Sequence, residues 1–99
     1  MVNKWTPGKW EVRNHPESRR KDAVFAGERK VAYCQSLFGR PHVGYEDLEA
    51  NAHLIAAAPD LYEACAAAED FCAAHPGDAA NAIYKQLNAA LARARGEAQ

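Results

Sequence analysis

Hydroxyl nucleophiles are scarce in this chain: Ser18, Ser36 and Thr6 are the only serines and threonine among 99 residues. None stands in a nucleophile elbow, and neither Gly-x-Gly-x-x-Gly nor a P-loop occurs, which excludes the common acyl-transfer and phosphate-cradling motifs. No apolar run approaches the roughly 20 residues of a membrane span; the longest are short alanine blocks. Met1 to Lys9 is polar and contains Trp5-Thr6-Pro7-Gly8, not the basic start and apolar stretch of a secretory signal. The three cysteines show no pairing pattern, which fits a reducing cytoplasm. Cys65 and Cys72 fall on one expected helix about 10 Å of rise apart, too far to bridge.

Alanine is abundant instead, at 22 residues, so the 48% hydrophobic content overstates the core. Each alanine buries little area, and at about 25 cal/mol per Å2 such helices gain stability only by packing closely. The length sets a single domain over residues 1–99, and the thin core favours a homo-oligomer that adds buried area. Charge is split along the chain. Residues 1–44 carry nine Lys/Arg against four Asp/Glu, net +5, and residues 45–99 carry three against nine, net −6. The basic half is suited to an anionic partner, unless the two halves pack together and neutralise each other.

The basic half is strand-rich. Trp10-Glu11-Val12-Arg13 alternates apolar and polar with the period of a half-buried strand, after a Thr6-Pro7-Gly8 turn. Asn14 to Lys21 is a polar loop. Ala23–Ala26 and Lys30–Cys34 then flank Gly27-Glu28-Arg29, the pattern of a hairpin. The acidic half is helical. Glu46, Asp47 and Glu49 favour a helix N-terminus, and Leu48, Ala52, Ile55 and Ala56 form one stripe. Pro59 ends that helix and opens the next, in which Leu61, Cys65, Ala68 and Cys72 share a face until His75-Pro76-Gly77. Asp78 is placed to cap a third helix striped by Ala80, Ile83, Leu87, Leu91 and Ala94, with Arg93, Arg95 and Gly96 at its end. The expected class is α+β: a short three-stranded antiparallel sheet, then two or three alanine-rich helices packed on it, the last two as an antiparallel hairpin.

Catalytic and metal constellations are weak. Glu49 and His53 lie at i and i+4, a spacing that serves acid–base chemistry but also pairs on ordinary helix surfaces. Cys72 and His75 would need two further zinc ligands, and Cys34, Cys65, His15 and His42 are scattered. The reading is therefore no enzyme, no metal and no cofactor. Binding chemistry is better supplied. Arg19, Arg20, Lys21, Arg29, Lys30, Arg40 and His42 interleave with Trp5, Trp10, Phe25, Tyr33, Phe38 and Tyr45. Guanidinium groups clamp phosphates and aromatic faces stack on bases, so these are the ingredients of a nucleotide site. The alternative is that Trp10, Phe25 and Tyr33 form the sheet's core face beneath a solvated basic rim. The chain has no net basic charge and no basic helix face, which disfavours double-stranded nucleic acid.

Two segments resemble a known group. Thr6-Pro7-Gly8-Lys9-Trp10-Glu11-Val12 is similar to the "TPG-x-W-x-V" opening of small phage and prophage proteins. The block from Ala50 to Ala64, ANAHLIAAAPDLYEA, resembles their "ANAxLIAAAPDLxEA" hallmark. The likeness spans most of the chain, although the group often has His before Thr and Pro before Trp where this sequence has Trp5 and Lys9. The resemblance implies a phage accessory protein acting in the host bacterial cytoplasm, away from membranes, and carries over no catalytic residues. Two functions follow as expectations. One is a counter-defence sponge that sequesters a small anionic ligand, such as a cyclic nucleotide immune signal, with Arg19, Arg20, Arg29, Lys30, Trp5 and Tyr33. The other is an anti-CRISPR-like inhibitor that binds a host defence protein through Glu46, Asp47 and Glu49.

Overall fold

The computed structural model describes residues 5–16, 20–35 and 45–97, with the side chains of Tyr45 and Glu46 left out. The elements run β1 (Trp10–Arg13), β2 (Ala23–Ala26), β3 (Arg29–Tyr33), α1 (Tyr45–Ala56), α2 (Ala58–Ala74) and α3 (Asp78–Ala94). This is the expected α+β order, a three-stranded antiparallel sheet followed by three helices. Residues Met1–Ala58 form one compact unit and Pro59–Gln99 another.

In the first unit the strand order is β1-β2-β3. Trp10 pairs with Ala26 and Val12 with Val24, while Glu11 pairs with Phe25 and Arg13 with Ala23. Residues directly opposite share a face, so period two separates Trp10, Val12, Val24 and Ala26 from Glu11, Arg13, Phe25 and Ala23. The hairpin loop is shorter than the sequence suggested. Arg29 pairs with Ala26, which leaves only Gly27 and Glu28 between β2 and β3. Gly27 has φ +64°, and no non-glycine residue among the described residues has positive φ. A positive φ at the first central residue alone is what a type II′ turn asks for, and its twist matches that of the strands. Beyond the last ladder pair, the Cys34 amide donates to the Asp22 carbonyl at 2.8 Å and prolongs the β2–β3 pairing.

Helix α1 packs on this sheet against all three strands. Leu48 and Ala52, four apart on one helix face, are buried together with Val24 and Ala26. Trp10 and Val12 are half-buried, whereas Glu11 and Arg13 on the opposite face are exposed. These burials place α1 over the Trp10–Val12–Val24–Ala26 face. Among the described residues the core is small, and Val24 is its one large side chain with no exposure.

The second unit is the expected antiparallel helical hairpin. Asn88 Nδ2 donates to Glu69 Oε2 at 3.1 Å, and Arg95 donates to the Tyr62 hydroxyl at 3.1 Å. In each pair the residue numbers change in opposite directions, as antiparallel helices require. The buried faces differ from the expected stripes. Of Leu61, Cys65, Ala68 and Cys72 only Cys72 is buried, and Leu61 and Ala68 are exposed. The polar pairs turn α2 so that Tyr62, Cys65, Ala66, Glu69 and Cys72 face inward. In α3 the inner line is Ala80, Tyr84, Leu87 and Leu91, which leaves Ile83 exposed.

Helix ends also depart in one place from expectation. Asp78 is the first residue of α3; Gly77 is the N-cap, and no side chain caps that end. The Asp78 carboxylate still sits where the helix dipole favours it. The far end closes as the sequence indicated. Gly96, at φ +77°, donates to the Arg93 carbonyl and Glu97 to Ala92, the paired bonds of a Schellman motif.

Leu48 joins α1 to the sheet. Leu48→Ala should cost about 2–4 kcal/mol of stability, measured by denaturant unfolding. A loss below 1 kcal/mol, or about one quarter of the expected maximum, would mean that Leu48 does not anchor the helix.

Candidate functional site

Opposite the α1-covered face, the sheet carries a cluster that depends on one irregularity. Between Val24 and Phe25 the β2–β3 register shifts: Val24 pairs with Ala32 but Phe25 pairs with Lys30, so Val31 is extra. Simple alternation from Tyr33 would put Lys30 on the covered face. The bulge reverses the alternation, and Lys30 emerges on the face of Phe25 and Tyr33.

There Lys30 Nζ lies 3.1 Å from His15 Nε2. An ammonium only donates, so in this contact Nε2 accepts. The His15 ring stacks on Tyr33 with centroids 3.8 Å apart and planes 11° from parallel. Lys30 Nζ stands 6.0 Å from the Tyr33 ring centre, at the outer limit of cation–π attraction. His15 is buried, and so is Ala23, the residue directly opposite Tyr33, whereas Lys30 is exposed. Farther along the same face Arg13 lies 5.6 Å from the Phe25 ring centre and donates to the Gly27 carbonyl at 2.9 Å. Arg13 also meets Glu11 at 3.5 Å. The arrangement offers an exposed ammonium beside a stacked aromatic pair.

Of the residues expected to bind an anion, the structure brings together Lys30 and Tyr33. Arg29 is exposed and pairs with Ala26, on the α1 side of the sheet register. Arg20 is exposed in the loop before β2, and Trp5 is half-buried ahead of β1. Arg19 lies outside the described residues, as do Ser18, Ser36, Phe38, Arg40 and His42. The alternative of one aromatic core face is corrected by the register: Trp10 belongs to the α1 side, and Phe25 and Tyr33 to the other. Trp10 also donates its indole N–H to the Thr6 carbonyl at 2.9 Å, which ties the leading turn to β1. In α1, Asp47 is exposed and Glu49 half-buried, and the Glu46 side chain falls outside the described residues. His53 is exposed, and no hydrogen bond joins it to Glu49 among the described residues.

The sequence reasoning passed over His15, which it counted only as a scattered metal donor. Its place depends on the path of the polar loop after β1, and no periodicity marks that path.

A separate cleft of about 310 Å3 lies between the end of β3 and α1, lined by Cys34, Gln35, Leu48, Asn51, Leu54 and Ile55. Among the described residues none of its lining side chains is charged. Burial pushes the Cys34 thiol up, and the Asp22 carboxylate adds to that rise. Among the described residues no group of three or more His, Cys, Asp or Glu side chains is arranged to hold a metal ion, and no helix is long and apolar enough to cross a membrane.

The family model of Salmonella phage P22 protein Y8K6 matches residues 1–98. The chain belongs to that phage protein family. No curated protein and no solved structure matches it. Membership supports the phage origin implied by the resemblance, and the match covers both the sheet that carries the Lys30 cluster and the helical hairpin.

The Cys34 environment has a checkable consequence. Thiolate formation at Cys34 should have its midpoint above the ordinary thiol value of about 8.5, read from the pH dependence of alkylation at that residue. Asp22→Asn removes a negative charge that opposes the thiolate, so the midpoint should fall while remaining raised by burial. An unchanged midpoint would show that the carboxylate does not act on the thiol.

Proposed function

We propose that this phage protein is a non-catalytic binding module that sequesters a small nucleotide ligand in the host cytoplasm as a counter-defence measure. The observation that carries the reading is the bulge-placed Lys30 beside the His15–Tyr33 stack. An exposed ammonium attracts a phosphate, and an aromatic platform accepts a base face without demanding a particular base. Sequestration needs affinity and no bond-making, which accords with the scarcity of hydroxyl nucleophiles. The net +5 of residues 1–44 adds long-range attraction for anions around this local site.

The site is smaller than the sequence suggested, because Arg29 belongs to the other side of the register. Affinity then rests on Lys30, Tyr33 and whatever Arg19 and Arg20 add. The inhibitor reading, with an acidic α1 face mimicking nucleic acid, draws less support. Glu49 is half-buried, and Asp47 is the exposed carboxylate of the pair.

The test is native mass spectrometry of the purified protein with a mixture of linear and cyclic nucleotides, followed by titration of any species retained. A discrete mass shift at fixed stoichiometry is expected. Tyr33→Ala should weaken binding by about fivefold to a hundredfold, the range for loss of one stacked base. Lys30→Glu should abolish it while the far-UV spectrum stays unchanged. A protein that retains no nucleotide, or that binds equally well with Glu at position 30, would overturn the reading.

A further inference from the structure

The two edges of the sheet are unlike. With strand order β1-β2-β3, both outer strands have one side unpaired within the described residues. β3 carries two devices that protect an edge, the bulge at Val31 and the adjacent cations Arg29 and Lys30. β1 has neither. It pairs with β2 in regular register throughout, contains no proline or lysine, and its two charges, Glu11 and Arg13, cancel.

We propose that the β1 edge pairs antiparallel with β1 of a second copy of this chain, around a two-fold axis at Val12, to make a continuous six-stranded sheet. The register follows from face and charge. Directly opposed residues share a face, so the exposed-face positions 11 and 13 must oppose exposed-face positions of the other copy. Four two-fold registers centred on a residue of β1 satisfy this. Centring on Glu11 sets that carboxylate against the partner's Glu11. Centring on Arg13 sets two guanidinium groups together. Centring on Val12 opposes Glu11 to the partner's Arg13 and, by symmetry, Arg13 to the partner's Glu11. Centring on Trp10 also opposes unlike charges, Glu11 to the partner's Lys9, but Lys9 precedes the strand; Val12 is the centre that places both complementary pairs within β1.

Glu11 is turned to solvent, and Arg13, although it donates to the Gly27 carbonyl, has further guanidinium N–H groups for a partner's carboxylate. Glu11 and Arg13 side chains are 49% and 45% exposed, and their contact within the strand is loose at 3.5 Å. Residues two apart along a strand are separated by roughly 7 Å of rise. Directly opposed Cβ atoms come within about 5 Å, so the partner's Arg13 approaches Glu11 more closely than its own strand neighbour does. On the other face, Val12 meets the partner's Val12 beside half-buried Trp10, so apolar surface at the sheet margin is covered by the same pairing. A strand-edge partner also supplies the row of backbone hydrogen bonds that solvent otherwise satisfies. The pairing is isologous and closes after two copies. It does not depend on which ligand the other end of the sheet takes.

Charge variants of the full chain test the register by sedimentation equilibrium. Wild type should dimerise. Glu11→Arg gives two cations per strand and Arg13→Glu two anions, and each alone should weaken dimerisation about tenfold or more, because two attractive pairs become repulsive. Mixed together, these two variants should form a heterodimer of near wild-type affinity. The double variant Glu11→Arg/Arg13→Glu preserves the complementarity in reverse and should dimerise like wild type. This arm keeps the test decisive if either single variant folds poorly. A monomeric wild type would overturn the inference. So would single variants that dimerise undiminished, or a monomeric double variant.

Discussion

One inserted residue in β3 determines what this protein presents to solvent. If Val24–Ala32 pairing continued in step, position 31 would face Phe25 and Lys30 would turn towards α1. An ammonium would then press against the small core built on Val24, Leu48 and Ala52, where an unpaired charge is costly. The bulge avoids that conflict and places the charge beside Tyr33 and His15. The bulge thus decides which of two adjacent cations joins the Tyr33–His15 face: Lys30 does, and Arg29 takes the α1-side position opposite Ala26, exposed beside the turn.

Much of the fold was legible in the residues because it rests on local rules. The Trp10–Arg13 alternation, the glycine between β2 and β3, the proline between α1 and α2, and Gly96 after α3 each have a physical signature at fixed offsets. The structure follows all of them to within a residue or two. The site was less legible because it rests on register. Alternation in Arg29–Tyr33 is read directly from sequence only if pairing is regular, and a bulge leaves no pattern of its own. The grouping of Trp10 with Phe25 failed on pairing alone, since the regular β1–β2 register sets Trp10 opposite Ala26 and turns Phe25 to the other face. It treated aromatic character as a guide to facing, where cross-strand partners decide.

The helical half shows a second limit. The expected stripes in α2 and α3 were drawn from hydrophobicity, yet alanine is so frequent that several faces score alike. Polar side chains mark the face that is used, half-buried Glu69 with exposed Asn88 and half-buried Tyr62 with exposed Arg95. Large apolar groups such as Leu61, Phe71 and Ile83 are consequently left facing water. Phe71 stacks on His75 at 4.2 Å, so part of that surface is shielded at the end of α2.

A hairpin held in this way has an evolutionary aspect. Most of its positions are exposed, and Cys72 and Leu91 are the buried ones among the described residues. Substitutions at the exposed positions cost little one at a time, and lineages can drift through them while keeping the helical path. The sheet has no such latitude, since loss or gain of one residue in β3 exchanges its two faces. Divergent relatives should therefore vary in the composition of α2 beyond Ala64 and of α3, but tolerate almost no change in the length of β3.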